Sequence, residues 1–141
     1  MQVCYTTSLP LTSESLLEER SSLSAFIIVA LTAMTRLTVL YGHPNDPAEF
    51  DQYYHKVHIP LARTMKGLKG WTIGKCEAAA PGEKPAYYMI VGLYAESRAA
   101  FEAILDSPEG KATVADLANF ATGGATFLYD EETVLVPFAL A

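Results

Sequence analysis

The chain has 141 residues, half of them hydrophobic and 18% charged. That is about one domain's worth of chain, and it excludes a disordered polar protein, which carries far fewer apolar residues. Ten Lys and Arg against sixteen Asp and Glu give a net charge of −6, which argues against nucleic acid, whose phosphates call for clustered cations.

Residues 1–33 read differently from the rest. A stretch rich in Ser, Thr, Leu and Glu precedes a short apolar run at 25–31. The run is far below the ~20 residues that span a bilayer, so no membrane anchor is expected. Glu14, Glu18 and Glu19 face only Arg20 where a signal peptide has a positive region. We read this segment as an N-terminal extension and expect the globular domain to begin at Met34. The run at 25–31 can still pack on that domain as an added helix or strand.

From Met34 the elements follow in order. Residues 35–42 alternate as a strand, with Leu37, Val39 and Tyr41 on one face and Thr38 and Leu40 on the other. Asp46-Pro47-Ala48-Glu49 signals a helix start, with Asp46 as cap and Pro47 in the first position. Phe50, Tyr54, Val57, Leu61 and Met65 then recur at helical spacing, and Gly67 is the expected stop. Residues 70–77 read as a second strand, Pro81-Gly82 as a turn, and 87–94 as a third strand that is apolar on both faces. Ser97 caps a further helix, Ser107-Pro108 interrupts it, and a helix over 109–120 follows. Gly123-Gly124 breaks the chain before a last strand or strand pair over 125–136.

The order βαββαβ is the ferredoxin-like α+β plan, an antiparallel sheet with both helices on one face. A third strand apolar on both sides leaves the other face in need of a cover. We expect a second copy of the chain to supply it, giving a homodimer.

Chemistry-bearing residues are few. All three histidines lie between 43 and 58. His58 follows Tyr54 by four residues and shares its face of the helix, at the margin of the apolar stripe, while His55 turns towards solvent. An imidazole there can act as a general acid or base, with Tyr54 orienting the substrate. It can equally be a core histidine tied to a backbone carbonyl. Pro60 provides one, since it lacks the N–H that would pair the carbonyl of Lys56. His43, His55 and His58 have no carboxylate at a matching offset, so no metal site is expected. Cys4 and Cys76 form no Cys-x-x-Cys pair, which excludes a cysteine-built zinc site and suits a reducing, cytoplasmic setting. No Gly-x-Gly-x-x-Gly or Gly-x-Ser-x-Gly is present, so neither a dinucleotide cofactor nor a serine nucleophile is expected. Trp71, Tyr88, Phe120 and Phe127 can wall a pocket or simply fill the core, and Phe50 heads the helical stripe beside them. Basic residues gather between 52 and 76 (Lys56, Arg63, Lys66, Lys69, Lys75). They can be a solvated helix end or a rim that draws an anionic substrate or partner.

The stretch Tyr54-His55-Lys56-Val57-His58-Ile59-Pro60-Leu61-Ala62 resembles the EthD family, named for ethyl tert-butyl ether degradation and part of the dimeric α/β barrel superfamily. The resemblance covers about 34–138. It rests on Phe50, Tyr54, His58, Pro60 and Leu61, on Gly67-Leu68, and on Asp116-x-x-Asn119-Phe120. Lys66 departs from the proline often found before the Gly-Leu pair. The resemblance implies a homodimer with facing sheets and a ligand cavity between each sheet and its helices. It leaves activity broad: some relatives in the superfamily are cofactor-independent cyclases, decarboxylases or monooxygenases. The reading carried forward is a cofactor-independent enzyme acting on a small apolar or phenolic oxygenated compound. His58 and Tyr54 would be catalytic, and Phe50, Trp71, Tyr88 and Phe120 would contact the substrate. The alternative is a non-catalytic ligand-binding or accessory protein of a monooxygenase system.

Overall fold

The computed structural model describes residues 34–136, and the expectations for residues 1–33 lie outside the described residues. Strand β1 (Met34–Tyr41) is central in a four-stranded sheet of order β2-β3-β1-β4, with β2 at Gly70–Lys75, β3 at Met89–Ala95 and β4 at Ala125–Glu132. Every neighbouring pair is antiparallel. The alternation of β1 fixes its faces. Leu37, Val39 and Tyr41 are buried, and each aligns with an inward residue on both neighbours. One inward row runs Trp71, Leu93, Leu37, Tyr129, and the next runs Ile73, Val91, Val39, Phe127.

The first helix starts where the sequence places it. The Asp46 carboxylate accepts from the amides of Ala48 and Glu49, each at 3.0 Å, and Pro47 opens α1 (Pro47–Tyr53). The spacing predicts one continuous helix to about Met65, and here the structure differs. A π-helical turn runs from Tyr54 to His58, and α2 (Ile59–Ala62) follows. In the π turn the Ile59 amide bonds back to the carbonyl of Tyr54 instead of that of His55. Pro60 supplies the physical reason: it has no N–H for the Lys56 carbonyl, and its ring would crowd that carbonyl in a regular α-helix. Helical structure ends at Ala62, so Arg63 and Lys66 fall beyond it.

Helices α3 (Arg98–Asp106) and α4 (Pro108–Phe120) meet at Ser107. Its hydroxyl donates to the Ile104 carbonyl at 2.6 Å and accepts from the Gly110 amide at 3.0 Å. Gly110 is required at this corner, because a β-carbon there would lie 2.2 Å from the Ile104 carbonyl oxygen.

Strand boundaries also differ: β2 ends at Lys75 rather than 77, and β3 and β4 change more. Strand β3 starts at Met89, and Tyr88 turns to the helix side, its ring 5.3 Å from that of Phe50. The outer face of β3 therefore carries Ile90, Gly92 and Tyr94, not a full apolar row. Around them lie Thr38, Leu40, Thr72 and Leu128, with Arg36 held by both oxygens of Asp130 at 3.0 and 2.9 Å. The outer face is thus mixed, with a charged cluster at one end in which Arg36 also bonds Glu132. Strand β4 ends at Glu132, and residues 134–136 are not strand.

Candidate functional site

The π turn decides where His58 goes. A wider turn advances each residue by a smaller angle, so the downstream side chains swing inward relative to a regular helix. The sequence puts His58 at the stripe's margin; the structure buries it to 4% exposure. Its ring lies 5.2 Å from Tyr54 and 4.6 Å from Phe120. His55 remains exposed. His43 donates through Nε2 to the carbonyl of Pro85 at 2.7 Å.

A carboxylate waits for the buried imidazole. Nδ1 of His58 donates to Oδ2 of Asp116 on α4 at 2.9 Å. The other oxygen, Oδ1, accepts from the Tyr53 hydroxyl at 2.7 Å and from the Asn119 amide at 3.0 Å. Asp116 is 7% exposed, and three donors compensate its burial.

These contacts set the charges. Burial pushes the His58 pKa below its usual 6.5, and the Asp116 carboxylate offsets this only in part. Burial alone would raise Asp116, but hydrogen bonds from Asn119, Tyr53 and His58 outweigh it and hold the carboxyl below its usual 3.8. Near neutral pH the pair is an ionised carboxylate beside a neutral imidazole. Because Nδ1 carries the proton given to Asp116, Nε2 holds the free lone pair. Burial raises the phenol pKa of Tyr54 and of Tyr41, keeping both protonated.

His58 and Tyr54 line a cavity of about 50 Å³ between the sheet and the helices. That is room for about four water-sized groups. Leu37, Val39, Val91 and Leu93 form its floor, and Met65, Leu105 and Leu117 its walls. Val114 and Phe127, each nearly half exposed, mark its mouth. No Lys, Arg, Asp or Glu lines it.

Of the aromatic residues expected against a substrate, Trp71 lines this cavity. Phe50 and Phe120 do not; they are buried in the aromatic layer behind Tyr54 and His58. Tyr88 packs beyond Phe50, and its hydroxyl bonds Asp51 and Lys75. Lys75 is thereby tied to α1, away from the cavity.

Asp116 is the residue the functional reading of the sequence missed. A signal was present: Gly110, Thr113, Asp116 and Phe120 form the buried stripe of α4, and an acid on such a stripe needs a partner. Among the described residues, no three His, Cys, Asp or Glu side chains cluster as a metal site. Among the same residues, no helix is long and apolar enough to cross a membrane.

The EthD domain model matches residues 43–124. The chain belongs to the EthD family. An uncharacterized 11.0 kDa protein from the thcB–thcC intergenic region of Rhodococcus erythropolis shares 46% identity with this EthD chain over 103 residues, 72% of this chain and 99% of the relative. An EthD family protein of Bacillus halodurans, known by crystal structure, is 28% identical, with a TM-score of 0.66 over 71% of this chain and 99% of that one. A dimeric ferredoxin-like protein of unknown function from Thermobifida fusca shares the fold, with 17% identity and a TM-score of 0.55 over 71% and 92% of the two chains.

Proposed function

We propose that this EthD protein is a cofactor-independent enzyme that moves a proton on a small, mostly apolar oxygenated compound. One observation carries the reading. A neutral imidazole, held through Nδ1 by an ionised carboxylate, stands at an apolar cavity with its other nitrogen free to accept a proton. Asp116 then stabilises the imidazolium that forms, and Tyr54 orients the substrate from the next turn. The low-polarity walls make a proton transfer to Nε2 depend on that carboxylate, since little else nearby compensates the new charge. The assembly we propose is a homodimer joined through the outer sheet faces, in keeping with the dimeric Thermobifida relative. A reducing, cytoplasmic setting suits the free thiol of Cys76.

The test needs no natural substrate. A small ketone such as acetone, whose four heavy atoms suit the cavity, exchanges its α-protons in D₂O when a base removes them, and NMR follows the loss. We expect the protein to accelerate this exchange and His58→Gln to lower the acceleration by ~10²–10⁴-fold, the usual worth of a general base. His55→Gln should leave it intact. Equal rates in the two variants would favour the alternative, a ligand-binding or accessory protein that uses the same cavity without chemistry.

A further inference from the structure

Among the described residues, one buried side-chain atom lacks a hydrogen-bond partner: the indole Nε1 of Trp71. Trp71 lies on edge strand β2 with its side chain at the cavity that His58 and Tyr54 line. The cavity's other walls are almost all hydrocarbon, so a buried donor beside them stands out. Native interiors pair nearly all such donors, because an unmet N–H has lost its water without gaining a substitute. The Tyr54 hydroxyl lies close enough for the indole N–H to offset part of the burial-driven rise in the phenol pKa, but the two stop short of hydrogen-bond geometry.

We propose that the Trp71 N–H is the anchor for the ligand's oxygen, and that the site therefore selects small uncharged molecules bearing an acceptor oxygen. This rests on the general-base reading and narrows its substrate class. Two features favour an uncharged oxygen over a carboxylate or phosphate. No cation lines the cavity, so an anion would enter without a counter-charge. The ionised Asp116 lies just behind His58 and would repel one. An indole N–H suits a neutral acceptor, and it grows in strength if that oxygen gains charge as His58 removes a neighbouring proton. Anchor and base would then hold the substrate at two points, leaving its hydrocarbon part to the Leu and Val floor. The basic residues between 52 and 76 have no part in this selection.

The chain has a single tryptophan, so the anchor reports on itself: the indole N–H gives one signal in a ¹H–¹⁵N spectrum of the unmodified full-length protein. Two four-heavy-atom ligands of near-identical shape provide the comparison, acetone with an acceptor oxygen and 2-methylpropene without. Both should shift the methyl signals of Leu37 and Val91. Only the ketone should move the indole proton downfield, to a saturating limit. Trp71→Phe should weaken ketone binding about 5–10-fold relative to the alkene, the worth of one buried neutral hydrogen bond. If both ligands shift the methyls but the indole responds alike to each, the anchor is wrong and the general-base reading stands. If neither ligand shifts the methyls, the cavity takes no such molecule, and the anchor falls with the reading beneath it. The indole signal decides the matter even if the phenylalanine variant fails to fold.

Discussion

Asp116 shows how much a single side chain can be asked to hold. Its two oxygens join Tyr53, Asn119 and His58 at distances of 2.7 to 3.0 Å. Asp116→Asn keeps the shape but changes the protons. If the amide oxygen still takes the Tyr53 hydroxyl, the amide NH₂ faces Nδ1, and His58 must carry its proton on Nε2 instead. We expect general-base activity to fall by ~10²–10⁴-fold and stability by about 1–3 kcal/mol, read from proton exchange and urea unfolding. A variant with full exchange activity would show that the carboxylate does not set the tautomer. The same pair makes the protein acid-sensitive. The folded state holds His58 below 6.5, so the unfolded chain takes up that proton first as pH falls, and stability drops from about 6.5 downward. Asp116, held below 3.8, stabilises the fold above that value and withdraws its support as pH falls through its lower native pKa. His58→Gln should flatten the slope of urea midpoint against pH just below 6.5 and leave the more acidic part in place. An unchanged slope would mean that His58 titrates as it does in the unfolded chain.

At the level of elements, the decisive one is the π turn over Tyr54–His58. Restoring a donor at position 60 should let Lys56 recover its partner and draw the segment back towards a regular helix. Pro60→Ala is therefore expected to loosen the His58–Asp116 bond while keeping the fold, with exchange activity down about tenfold or more, as misplacement of a catalytic group costs. A crystal structure of the variant checks the cause directly, and an unaltered π turn would remove proline from the explanation. The caps at Asp46, beside Pro47, and at Ser97 were readable in the sequence because each is local chemistry, bonding amides two or three residues away; Ser107-Pro108 reads there only as a break, and the Ser107 hydroxyl caps the next helix. The π turn was not readable, because a fixed 100° step per residue is the assumption that such a turn breaks. Nor was the start of β3: Tyr87–Tyr94 alternates well on paper, but contact with Phe50 pulls Tyr88 to the helix side. The pairing of His58 with Asp116 was hidden for another reason. Its halves are remote in the chain, and only the closed fold brings them together.

For the whole molecule, the outer sheet face is the one through which we propose assembly. Ile90 and Leu128 are 42% and 51% exposed on it, beside Arg36, which bridges the carboxylates of Asp130 and Glu132. A dimer through this face should bury on the order of 2,000 Å² in all. We expect light scattering to return twice the 15.3 kDa chain mass at micromolar concentration. Leu128→Arg should shift the protein towards monomer, and a wild-type protein that already scatters as a monomer would end the dimer proposal.

The His58–Asp116 bond spans 58 positions of sequence, joining the helix of the first βαβ half to the helix of the second. A base assembled across that seam exists only while both halves are docked. A fluctuation that lifts α4 breaks the His58–Asp116 bond and uncovers Phe120 together, so the proposed base shares the stability of that docking. On the general-base reading proposed above, activity would double as a gauge of internal cooperativity, lost at the first parting of the two halves.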